Sequence, residues 1–122
     1  VLLFCYNLPM TYTGTIVEES LKDSRYLNNI EITGVHISSA ELPEDRWHLY
    51  RVRIDEAEIA GLAKQLKPKK WYMHFWNGDT VIAVFPNRIF RFKHSDKSTW
   101  HEAIEHGKSL DIPEEQLDFT VD

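Results

Sequence analysis

The sequence predicts an α+β domain: an antiparallel sheet of about six strands, in the order β-β-β-α-β-β-β-α, with two helices on one face. Three observations carry this expectation. Short apolar stretches of strand length recur along the chain, several with strict alternation. Two of them flank Asn77-Gly78, a dipeptide that favours a tight hairpin turn. Two further stretches place apolar residues at helical spacing behind a capping-box pattern, one after the third strand and one after the sixth. At 122 residues the chain fits one domain. Folding at this size buries roughly two-thirds of the unfolded surface, which is enough for a core without disulfide or metal staples.

Taken in order, Val1 to Tyr6 is an apolar run of six residues. A spanning helix needs about 20 such residues and a secretory leader a positive start, so neither is expected. Residues 1–9 are expected to be a non-native or loose arm, with Met10 the natural start and 10–122 a single domain. Were the arm ordered, the alternation of Leu2, Phe4 and Tyr6 would make it an extra strand. Tyr12, Gly14 and Ile16 alternate with Thr13, Thr15 and Val17, predicting a first strand. A polar loop follows, anchored by Leu21 and Leu27. Ile30 to Ser38 reads as a second strand whose apolar phase changes midway. Val35 and Ile37 stay on the core side only if one residue is absorbed, and a β-bulge at Gly34 is the natural place.

Arg46 to Ile54 is the third expected strand, with Tyr50, Val52 and Ile54 on one face and Arg51 and Arg53 on the other. Asp55 and Glu58 form a capping-box spacing, and Ile59, Leu62, Ala63 and Leu66 give one apolar stripe, closed by Pro68. Trp71 to Asn77 and Thr80 to Phe85 predict a hairpin around a type I′ turn. The second of these is apolar on both faces, which predicts a central position in the sheet. Pro86-Asn87 predicts another turn before Arg88 to Lys93. Thr99 with Glu102 repeats the capping-box spacing, opening a helix with Trp100, Ala103, Ile104 and Gly107 on one face. Ile112 to Glu115 reads as a short helical start, with Leu117 and Phe119 tucking onto the core.

Cys5 is the one cysteine, so no intrachain disulfide can form and a reducing, cytoplasmic setting is expected. A net charge of −5 argues against general nucleic-acid binding, without excluding it, and no membrane partner is expected. The charge is uneven. Ala60 to Lys97 holds eight Lys or Arg against Asp79 and Asp96, a net of +6 that leaves −11 for the rest. Such asymmetry suits a partner, although a solvated sheet edge and a helix end dressed in lysines produce it equally.

No motif assigns chemistry. His101 and His106 lie five apart around Glu102, whereas a zinc-protease helix needs histidines four apart. At 3.6 residues per turn, five residues separate the two rings by roughly 140°. His36 and His48 flank one loop and His74 sits among aromatics, but strand histidines are commonly packing residues. No nucleophile elbow and no glycine-rich phosphate loop occur, and no metal or cofactor is expected. The strongest candidate is Trp71 to Trp76, where Tyr72, His74 and Trp76 share one face. With Arg88 and Arg91 on the later strand, that face is expected to bind a ligand or partner, on the side of the sheet away from the helices. A non-enzymatic binding or protein-interaction module, with a homodimer or a protein partner, is the leading expectation. A small enzyme, or a nucleotide or single-stranded nucleic-acid binder using the same face, is the alternative.

Tyr12-Thr13-Gly14-Thr15-Ile16-Val17-Glu18-Glu19-Ser20-Leu21, Trp71-Tyr72-Met73-His74-Phe75, Pro86-Asn87-Arg88-Ile89-Phe90 and Ile112 to Phe119 together carry a resemblance. Over Tyr12 to Phe119 the chain resembles a family of small uncharacterised bacterial and archaeal proteins. The resemblance implies a prokaryotic setting and transfers no site residue.

Overall fold

A computed structural model of the chain describes residues 10–121; the expectations for residues 1–9 lie outside the described residues. The α+β fold is as expected. Strands β1 (Thr11–Val17), β2 (Glu31–Ile37) and β3 (His48–Asp55) lead to helix α1 (Glu56–Gln65). Strands β4 (Met73–Asn77), β5 (Thr80–Phe85) and β6 (Arg88–Lys93) then lead to helix α2 (His101–Ser109). They form one six-stranded sheet in the spatial order β2-β3-β1-β4-β5-β6, antiparallel throughout. β1 and β4 are therefore the middle pair. β5 is an inner strand rather than the central one, and it is apolar on both faces because both are covered where it runs.

The helices do not share a face, contrary to the sequence expectation. Alternate residues of β5 separate two cores: Ile82 and Val84 pack with Ile59, Leu62 and Leu66 of α1, whereas Val81, Ala83 and Phe85 pack with Trp100, Ala103 and the C-terminal Leu117 and Phe119. Successive strand residues point to opposite faces, so α1 and α2 lie on opposite sides of the sheet. The apolar faces of β5 and β6 that oppose α1 require a cover of their own. α2 and the C-terminal segment provide it over β4 to β6 and leave the β2-β3-β1 half of that face without a layer.

Several local expectations hold for the reasons given. Asp55 accepts from the Glu58 amide at 2.9 Å while the Glu58 carboxylate receives the Asp55 amide at 3.4 Å, a complete capping box. The bulge falls between Ile32 and Gly34, with Thr33 the absorbed residue. Leu117 and Phe119 are buried.

Other expectations are corrected. Asn77 pairs with Thr80, so the turn residues are Gly78 and Asp79. Only Gly78 takes a positive φ (55°), which fits type II′ rather than type I′. Thr99 does not cap α2. Its hydroxyl donates to the Asp96 carbonyl at 2.6 Å and accepts the Lys93 amide, tying a 3₁₀ turn to the end of β6. Val35 and Ile37 stay on the same face as Ile32, but on an edge strand with no layer over it, and they are 60% and 43% exposed.

Candidate functional site

The uncovered half of the sheet, on the α2 side, carries the candidate site. β1 runs between β3 and β4, with Thr15 opposite Arg51 and Thr13 opposite Trp76. From β3, Arg51 reaches across β1 and sets its guanidinium over the Trp76 ring, 5.4 Å from the centroid. His74, two residues before Trp76 on the same face, lies 5.5 Å from it, ring to ring. Thr15, Arg51, His74 and Trp76, with Val17, Ser20, Tyr72 and Thr120 at the lower end, line a cavity of about 320 Å³. A second cavity of about 300 Å³ adjoins it and shares Thr15 and Arg51; its other lining residues are Gly34, Val35, His36 and Leu49. Gly34 opposes Arg51 on β2, and its missing side chain opens the far flank of the arginine.

The C-terminal segment builds one wall. Phe119 is fully buried among Tyr72, His74, Phe92 and Trp100. Its backbone takes φ 41°, a conformation that bulky residues adopt only when the surroundings enforce it. That turn brings the Thr120 carbonyl to 2.7 Å from His74 Nε2. A carbonyl only accepts, so Nε2 carries the proton, and the tautomer and ring orientation of His74 are set. Tyr72 donates its hydroxyl to the Gln116 carbonyl and stacks on Phe85. Burial, and then the nearby Asp118, push the Tyr72 hydroxyl up to about 12, so it remains a protonated donor at any physiological pH.

The five sequence-predicted site residues divide. Tyr72, His74 and Trp76 share one face and line the cavity as expected, although Tyr72 is largely roofed by the chain's own C-terminal segment. Arg88 lies on the same side but at the far edge, stacked on Phe90 at 4.7 Å, and does not line the cavity. Arg91 is on the other side. Its guanidinium donates to both carboxylate oxygens of Glu56 and to the Tyr12 hydroxyl, bracing β6 against α1 and β1. The face is also not simply the one away from the helices, because α2 covers part of it. Arg51 and Thr15 were missed. Alternation marked the face of Arg51, but only the insertion of β1 between β3 and β4 brings it to Trp76.

The remaining histidines serve packing and tethering. His106 of the near-motif lies between Phe85 and Phe90, its Nε2 buried without a hydrogen-bond partner. Burial, and secondarily Arg88, hold its pKa below the ordinary imidazole range. His48 pairs with Glu19 at 2.7 Å. Among the described residues no group of His, Cys, Asp and Glu side chains is placed to hold a metal ion. No helix among them is long and apolar enough to cross a membrane. The Ser20 hydroxyl donates to the Val17 carbonyl at 2.6 Å, so its proton is already committed within the backbone turn. The arrangement offers a stacking surface, a cation and hydroxyls in a concave setting, which is equipment for holding a ligand.

No family model, curated protein or solved structure matches the chain. The candidate site therefore rests on its own geometry.

Proposed function

We propose that the chain is a non-enzymatic binding module that takes a small ligand in the cavity between β3, β1 and β4. The observation that carries this reading is the convergence, in one concave space of about 320 Å³, of the Trp76 ring under the Arg51 guanidinium, the oriented His74 ring and the Thr15 hydroxyl. Ligand sites are concave, largely apolar and furnished with a few polar groups of this kind. The side chains are also held in place. Phe119 and Thr120 set His74, and the Thr15–Arg51 register sets the arginine, so little ordering remains to be done on binding.

Amide spectra recorded against a fragment library test the reading. Hits are expected to shift the signals of Thr15, Arg51 and Trp76, and Thr15→Phe, which fills the space shared by both cavities, should abolish those shifts. Hits that map elsewhere, or that survive Thr15→Phe unchanged, would overturn it.

A protein contact is the second reading, favoured by Ile32, Val35 and Ile37, which are exposed side by side on the edge strand β2. An uncovered apolar edge strand is a pairing surface, and a second copy of the chain is its simplest occupant. Sedimentation equilibrium separates the readings: a dimer that Val35→Lys dissociates supports the contact, and a monomer at all concentrations removes it.

A further inference from the structure

We infer that the ligand of this cavity is a small anion carrying a planar ring, an inference that rests on the binding reading above and names its chemistry. The protein as a whole is acidic, with 19 Asp and Glu against 14 Lys and Arg. Yet none of the side chains lining either cavity is a carboxylate. Arg51 stands where the two spaces meet and lines both, His74 and His36 lie to either side of it, and Thr15 supplies a hydroxyl opposite it. The nearest acid identified is Asp118, which acts on Tyr72 at the roofed end and does not line the space. Acid-free lining around a guanidinium is the electrostatic form of an anion site, because the charge is already turned inward before the ligand arrives.

Charge alone would suit inorganic phosphate; the shape of the floor asks for more. Trp76 and His74 form a continuous aromatic surface, 5.5 Å between rings, and β1 contributes only Thr15 and Val17 beside it. A flat ring stacks on such a surface without sequence or substituent preference, while the anionic group meets Arg51. The exposed lysines Lys67, Lys69 and Lys70, in the segment that runs directly into Tyr72, add positive field near the lower end. A long basic track for a polymer is absent from the lining, so the site suits a single small anion.

Paired probes test this by calorimetry: AMP against adenosine, UMP against uridine, and indole-3-acetate against indole-3-acetamide, with inorganic phosphate alone as a further arm. The expected result is that at least one anion binds about tenfold or more tighter than its neutral counterpart and than phosphate, as a charge-assisted contact implies. That preference should vanish in Arg51→Met, return in Arg51→Lys, and weaken as salt is raised. Amide spectra confirm that each variant remains folded. Trp76→Leu should reduce the ring-bearing anions to the level of phosphate. Equal binding of the neutral members overturns the anion assignment and leaves the cavity reading standing. Binding of phosphate as tight as any ring compound overturns the planar part. If no probe binds while neutral fragments still map to Thr15 and Trp76, only this inference fails. If those fragments fail too, both readings fall.

Discussion

Gly14 sits where β1 passes closest to β4. A Cβ there would lie 2.7 Å from the carbonyl oxygen of His74 and closer still to the Phe75 ring. Gly14→Ala is therefore expected to cost about 1–3 kcal/mol in urea unfolding, whereas the half-buried Thr15→Ala next to it should stay within about 0.5 kcal/mol. Equal effects would mean that the two strands can part without loss. Two histidines give pH dependences of opposite sign. The folded state holds His106 below its ordinary value by burial and, secondarily, by Arg88. The stability this gives is present above about pH 6.5 and is lost as pH falls through the lower folded value. His48 is held up by its hydrogen bond to Glu19. Its contribution is complete below about pH 6.5 and is lost as pH rises through the higher folded value. Thermal melts across pH should lose their acid-side decline in His106→Phe and their alkaline-side decline in His48→Gln. Unchanged profiles in both would remove these two groups from the pH response.

At the scale of elements, the helix starts show why one motif was read correctly and its twin was not. Asp55 and Glu58 complete a capping box because β3 ends at the helix and leaves both side chains no other partner. Thr99 has the same spacing to Glu102, but the end of β6 lies within reach and takes the hydroxyl instead, so the chain enters α2 through a 3₁₀ turn. Asp55→Ala should cost about 1 kcal/mol, the usual worth of an N-cap. Ile82→Ala, in the core beneath α1, should cost about 2–5 kcal/mol. The reverse ranking in denaturant unfolding would contradict the placement of β5 as an inner strand covered on both sides.

At the scale of the whole molecule, the sheet divides two cores, and the division has an energetic signature. Leu62 lies under α1 on one side and Leu117 on the other, each at most 2% exposed. Side chains separated by a sheet share no partners, so the unfolding costs of Leu62→Ala and Leu117→Ala should add to within about 0.5 kcal/mol in the double variant. A larger discrepancy would show that strain passes through β5. The same division creates the candidate site, because the second layer stops at β4 and leaves Thr15, Arg51 and Trp76 against solvent. Phe119 matters doubly here. It fills the aromatic core and, through its left-handed backbone, sets the carbonyl that orients His74. Phe119→Ala should therefore lower stability by about 3–5 kcal/mol.

Local order in the sequence determined the elements. Period-2 alternation located the strands, the i, i+3, i+4 stripe and its acids located α1, and Gly34 announced the bulge. These depend on residues within one turn or one hairpin of each other. Alternation also determined that Tyr72, His74 and Trp76 share a face, and that Arg51 and Arg53 oppose Val52. The tertiary structure alone decided which strands are neighbours. β1 inserts between β3 and β4, a pairing between segments far apart in the chain, and only this joins Arg51 to Trp76. It also decided that α2 crosses to the face opposite α1. An apolar stripe specifies that a helix must be covered, but a strand apolar on both faces, such as β5, accepts that cover from either side. The choice follows from packing two layers at once.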